Sequence, residues 1–189
     1  GSGSNGTYVK GGAVAMTGSS NTFTMTGGEI IGGNVPYGRG GAVYLAGKNN
    51  SITGGKISGG TAAYGGSVFS YGNDLTIGGN AIIENGVASS GGGTVYVFGG
   101  TLKVTGQAQI RGGSTTGTAS GGNIFLRWGS NATMVMDGGT VSGGVAGNGS
   151  GECGNLYVGY QTTLTMNGGL IQYCEAQCGG GVYIEDGSF

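Results

Sequence analysis

The chain has 189 residues, of which 51 are glycine and one is proline; charged residues make up 8%, the net charge is −1, and histidine is absent. Collagen needs glycine at every third position together with abundant proline, and a flexible linker carries no apolar residues at fixed places, so both are excluded. The charge is too sparse and too balanced for a nucleic-acid footprint, and no apolar run reaches the ~18 residues of a membrane-spanning helix, so no membrane insertion is expected.

The first predicted element is Val14-x-Met16, whose alternation is that of a strand. A second, Phe23-x-Met25, and a third around Ile30 follow before Gly32-Gly33. The whole phrase then returns every 25 to 32 residues. Its opening reads Gly11-Gly12-Ala13-Val14, then Gly40-Gly41-Ala42-Val43-Tyr44-Leu45, Gly65-Gly66-Ser67-Val68-Phe69-Ser70 and Gly92-Gly93-Thr94-Val95-Tyr96-Val97. It continues as Gly121-Gly122-Asn123-Ile124-Phe125-Leu126, Gly154-Asn155-Leu156-Tyr157-Val158 and Gly180-Gly181-Val182-Tyr183-Ile184. The second element recurs as Leu75-x-Ile77, Leu102-x-Val104, Met134-x-Met136 and Leu164-x-Met166, the third around Ile57, Ile83, Ile110, Val141 and Ile171.

Seven copies of one short unit form a one-dimensional stack in which each unit buries its apolar side chains only against its neighbours. Three short strands per unit, separated by Gly/Asn/Ser turns, describe one coil of a parallel β-helix. The right-handed form is expected from the handedness of parallel crossovers. Rungs ~4.8 Å apart give a rod roughly 30 Å long. The prediction is a single all-β domain over 1–189, with Val14, Val43, Val68, Val95, Ile124, Leu156 and Val182 stacked inward.

The Gly-Gly-Ala-Val phrases at Gly11 to Val14 and Gly40 to Val43 occur with Met25-Thr26-Gly27-Gly28-Glu29-Ile30 and Met166-Asn167-Gly168-Gly169-Leu170-Ile171. This combination resembles the glycine-rich β-helix repeats of microbial surface and adhesin-like proteins. The resemblance implies an extracellular structural or adhesive role and no shared active site.

A solenoid displays one sequence position on every rung, so candidate sites are columns. The outward column Tyr44, Phe69, Tyr96, Phe125, Tyr157 and Tyr183 reads as a surface aromatic ladder. It fits either stacking that supports parallel pairing or a docking strip for a sugar ring or a neighbouring rod. Threonine columns (Thr22, Thr24, Thr26; Thr163, Thr165) suggest an ice-binding face but are interrupted by Lys103, Val135 and Asp137. Glu29 and Lys56 share a column and should pair. The carboxylates Asp74, Glu84, Asp137, Glu152 and Glu175 read as scattered and unaligned with Arg39, Arg111 and Arg127, whereas polysaccharide-degrading sites need them clustered. No catalytic residue, metal or cofactor is therefore expected.

Asn-x-Ser/Thr sequons at Asn5, Asn49, Asn131 and Asn148 lie near predicted turns and are possible glycosylation sites. Cys153 and Cys178 read as occupying one corner on adjacent rungs, within the roughly 4.4–6.8 Å Cα separation of a disulfide. Cys174 is the competing partner for Cys178 or else a free or intermolecular thiol; three reduced thiols are the alternative. Gly1 aligns with the end of a third strand, and Phe189 falls where a second has just begun. The chain thus reads either as a piece of a longer repeat protein or as a subunit stacking head to tail through its Gly1 and Phe189 ends. The functional expectation is a non-enzymatic extracellular filament or stalk subunit; the alternative is a carbohydrate- or partner-binding module using the aromatic ladder.

Overall fold

A computed structural model of the protein describes residues 9–147, 152–186 and 188. The described residues form an all-β solenoid with exclusively parallel pairing. One face is a seven-stranded sheet in sequence order: β1 (Val14–Met16), β4 (Val43–Leu45), β7 (Val68–Tyr71), β11 (Val95–Phe98), β15 (Ile124–Leu126), β17 (Leu156–Val158) and β19 (Val182–Ile184). Seven strands in succession bound about six complete turns. Their register pairs Val14 with Val43, then Val68, Val95, Ile124, Leu156 and Val182, which is the predicted inward column.

The second and third predicted elements lie on one larger sheet, in the expected columns. Met25 meets Ile52, Ile77, Val104, Met136 and Met166 on successive coils, while Ile30 meets Ile57, Ile83, Ile110, Val141 and Ile171. In four coils the two elements fuse into one bent strand: β2 (Thr24–Ile31), β5 (Asn50–Ser58), β16 (Thr133–Ser142) and β18 (Thr163–Gln172). In the third and fourth coils they separate into β8 (Leu75–Ile77) with β9 (Ile82–Glu84), and β12 (Thr101–Val104) with β13 (Gln109–Arg111). The cause is length: these two coils carry one more residue between their inward side chains, and the additional Ala81 and Ala108 are fully buried.

Each of four coils also has a short further strand that the sequence pattern does not announce. These are β3 (Asn34–Arg39), β6 (Thr61–Tyr64), β10 (Val87–Ala88) and β14 (Ser114–Thr115), which form a narrow third sheet. Their composition carries no apolar repeat, so period-2 reading passes over them.

The lumen is filled by like residues packed on like. Val43, Val68, Val95, Ile124 and Leu156 have no exposed surface, nor do Ile57, Ile83 and Ile110. Glycine is required where two corners touch: a Cβ on Gly93 would overlap the Gly122 carbonyl and the Ser114 N–H of neighbouring segments. A single methyl there must force main chains apart, so Gly93→Ala is expected to weaken the fold by about 3 kcal/mol or more, read from the urea midpoint.

Candidate functional site

Three structures built by the repeat stand outside the apolar lumen, and each changes the reading of the sequence. The first is the aromatic ladder. Its rings stack in order, with centroids 5.5 Å apart for Tyr44–Phe69, 5.2 Å for Phe69–Tyr96 and Tyr96–Phe125, 4.4 Å for Phe125–Tyr157 and 5.8 Å for Tyr157–Tyr183. The planes are within 18° of parallel. The ladder is not a surface strip. Phe69 is 1% exposed and Phe125 7%, while Tyr44, Tyr96 and Tyr157 lie between these limits. Only Tyr183, on the last described rung, is half-buried.

The reason is a second layer. In Phe69-Ser70-Tyr71 and Tyr96-Val97-Phe98 the residues two apart point the same way off the sheet, so Tyr71 and Phe98 cover the ladder and stack on each other at 4.9 Å. Tyr64 closes from the third sheet, edge-on to Tyr96 at 5.2 Å. Cations complete the cover: Lys10 sits 5.3 Å from the Tyr44 ring centroid, Arg39 5.4 Å from Phe69 and Arg127 4.4 Å from Phe98. Burial pushes the Tyr96 hydroxyl well above the usual tyrosine range, against the opposing charges of Arg127 and Arg39.

The cover is incomplete over Tyr96 and Phe125, where it leaves a cleft of about 320 Å³. Phe69, Tyr96 and Phe125 line its depth, with Arg39 and Arg127 beside them; Trp128, 54% exposed, lines it as well. Among the described residues, no carboxylate lines it. The sequence hint was available in Arg127-Trp128, which follows the ladder residue Phe125 at the positions where Phe98 and Gly99 follow Tyr96, but an exposed ladder left no reason to look for a cleft.

The second structure is a buried polar column that the repeat hides in the small residue before each inward aliphatic. It runs Ala42, Ser67, Thr94, Asn123, Asn155, all without exposed surface. Asn123 donates to Ser142 O at 2.8 Å and to Asn155 Oδ1 at 2.6 Å, and accepts from Thr94 Oγ1 at 3.1 Å and Gly113 N at 2.9 Å. Asn155 repeats the pattern, donating to Gln172 O and accepting from Gly144 N, both at 2.9 Å. The column supplies partners to backbone groups at the turn into the third sheet, which water cannot reach.

The third is a charge ladder. Glu29 and Lys56 pair as expected, at 3.1 Å. Contrary to the reading of scattered charges, Glu84 and Arg111 are register partners on adjacent rungs, joined at 2.8 Å, and Lys56 also reaches Glu84 at 3.4 Å. Burial works to raise the Glu84 pKa, but hydrogen bonds from Arg111 and Lys56 outweigh it and hold the carboxyl below its ordinary 4.5. A depressed folded-state pKa stabilises above the unfolded value and is lost as pH falls through the folded one. Stability should therefore drop on acidification below about 4.5. Glu84→Gln should lower it by about 1–3 kcal/mol at neutral pH and flatten part of the acid limb in urea titrations. The remainder belongs in part to Asp137, whose pKa is lowered by hydrogen bonds from Asn167 and Lys103. The interrupted threonine face persists: Thr24, Ser51, Thr76, Lys103, Val135 and Thr165 form one column.

The cysteines correct a further expectation. All three are free thiols, and Cys153 and Cys178 are not bridged. Cys153 stands where six other coils place a glycine with positive φ (Gly11, Gly40, Gly65, Gly92, Gly121, Gly179). Its side chain is buried against the ladder and its sulfur donates to Leu156 O at 2.7 Å. The register of β17 with β19 sets Cys153 level with Gly179, one residue beyond Cys178, which is exposed. Burial pushes the Cys153 pKa up to about 12. Native alkylation should modify Cys178 readily and Cys153 only after unfolding; a bridge found by peptide mapping would overturn this arrangement.

Of the sequons, Asn49 and Asn131 are exposed and adopt left-handed φ of 52° and 53°. Asparagine tolerates that conformation better than most residues, which gives a conformational reason for its use at these turns. Asn5 and Asn148, together with Gly1 and Phe189, lie outside the described residues. Compared with known proteins, the chain matches no family, curated protein or solved structure.

Proposed function

We propose that the chain is a non-enzymatic structural β-solenoid of an extracellular surface protein, of the adhesin-like kind its repeats resemble, and that its coils extend by stacking head to tail on a second copy. The observation behind this reading is the uninterrupted parallel stack, in which one inward column runs from Val14 to Val182 across a sheet in sequence order. Met166 is 37% exposed and Ile184 38%, whereas their column neighbours Met136 and Val158, one coil inside, are fully covered. At the other end, Val14, Met16, Phe23 and Ile30 are only partly buried against the core. A coil edge of this kind is a template on which another parallel coil, of this chain or of a second copy, would pair.

Negative-stain imaging and light scattering test this. Rods lengthening with protein concentration are expected, and Met166→Lys should shorten them by charging the open face. A chain that stays monomeric at millimolar concentration overturns the reading.

A second reading, a binding module, is favoured by one specific feature, the cleft flanked by Arg39, Arg127 and Trp128. In this reading the ladder is the floor and support of a recognition site, and the residues that meet a ligand are those beside it.

A further inference from the structure

Resting on the binding-module reading, we propose that the cleft over Tyr96 and Phe125 takes a carboxylated sugar, a uronic or nonulosonic acid within an oligosaccharide. The sugar ring lies against the exposed face of Trp128 and its carboxylate meets the guanidinium groups of Arg127 and Arg39.

Size comes first. About 320 Å³ lies at the small end of ligand sites and matches one or two sugar rings, with the rest of an oligosaccharide running over the surface. Shape follows. The cleft is floored by rings that are stacked and covered and so held in place, which keeps the ordering cost of binding low. Trp128, 54% exposed, adds an apolar ring over which Arg127 lies at 5.1 Å, so its open surface adjoins the guanidinium. Sugar rings present C–H faces that pack on such a surface while their hydroxyls stay hydrated. Polar partners also line the site: Ser90 is exposed, and Tyr64 carries a hydroxyl.

Charge selects the acidic sugar from among neutral ones. Among the described residues, two arginines line the cleft and no acidic side chain does. The carboxylates Glu29, Glu84 and Asp137 are paired with Lys56, Arg111 and Lys103 on the large sheet. Glu185 and Asp186 belong to a neighbouring hollow with Trp128 and Tyr160, where Glu185 accepts the Tyr157 hydroxyl. Arg127 lies over Phe98 at 4.4 Å and over Trp128 at 5.1 Å, and Arg39 lies over Phe69 at 5.4 Å. A guanidinium stacked on a ring keeps its N–H edge in plane for a carboxylate, and the weak hydration of arginine makes that exchange favourable. A phosphate-rich polymer such as single-stranded nucleic acid would need a long cationic track, whereas two arginines line this cleft in a chain of net charge −1.

Trp128 is the single tryptophan of the chain, so intrinsic fluorescence reports on the site directly. The protein is titrated with a hyaluronan tetrasaccharide, with 3′-sialyllactose, with lactose and with a short oligo-dT. Saturable quenching by at least one acidic saccharide and none by lactose is expected, with the midpoint weakening as salt is raised. Arg127→Gln should weaken it about tenfold or more. The exposed Trp128→Ala variant, followed by calorimetry, should lose binding without a change in melting temperature, which separates a site defect from a folding defect. If lactose binds as well as the acidic sugars, the acidic assignment is overturned while the binding reading stands. If no saccharide binds, the sugar assignment is overturned; a response to oligo-dT alone then replaces the sugar with a nucleic acid, and silence from all four probes overturns the binding reading as well.

Discussion

Replacing Phe125 with alanine should lower stability by about 3–5 kcal/mol, the cost of emptying a large buried aromatic site. For a chain of this length that corresponds to a fall in melting temperature on the order of 10 °C. The ring is sandwiched between Tyr96 at 5.2 Å and Tyr157 at 4.4 Å, so the substitution removes two stacked pairs as well as buried area, and such pairs contribute about 0.5–1.5 kcal/mol each beyond burial. The tight corner opposite it cannot collapse into the gap, because Gly91 already lies against the ring and takes up a positive φ of 140°. Phe125→Leu should recover part of the loss, and hydrogen exchange should show opening centred on β15 and its neighbours, since each coil depends on the two beside it. A cost under about 1 kcal/mol, typical of an exposed site, would mean that the ladder stands open to solvent after all.

Asn123→Leu is the second large effect, expected at about 3 kcal/mol or more although the volumes are similar and leucine is more apolar. The substitution deprives the Gly113 N–H and the Thr94 hydroxyl of their partner in a region without water access, each at a cost of about 1–3 kcal/mol, and leaves the Ser142 carbonyl with the Gly112 N–H alone. It also breaks the link to Asn155, which is bonded to Asn123 at 2.6 Å. Asn155→Leu should cost a similar amount, and the double variant should cost less than the sum because the two share a network. Additive losses measured by urea denaturation would show instead that the two asparagines act separately. The coil containing Ala42 needs no such bridge, because there the Gly33 N–H reaches the Gly41 carbonyl directly, at 2.8 Å.

What the amino-acid sequence determined by itself is the axial order of this molecule. Alternation within a strand and a return every 25 to 32 residues are local properties of the chain. In a stack where each coil meets only its neighbours, those properties set the parallel register, the inward columns from Val14 to Val182 and the pairing of Glu29 with Lys56. What the tertiary structure decided is everything that depends on how a turn is shaped. Tyr44 to Tyr157 point off the sheet as their alternation requires, but whether such a side chain meets water depends on what folds over it, here Tyr64, Tyr71, Phe98 and Arg127. The Glu84–Arg111 pairing, by contrast, was legible: each residue follows a third-column isoleucine, Ile83 or Ile110. Cys153 occupies the corner that other coils give to glycine and lies buried against the ladder, whereas Cys178 is exposed. The small residue before each aliphatic reads in one dimension as mere spacing. In three dimensions Thr94, Asn123 and Asn155 fall one above another inside the wall, where hydrogen bonds can no longer be made to water and must be made to one another and to the backbone.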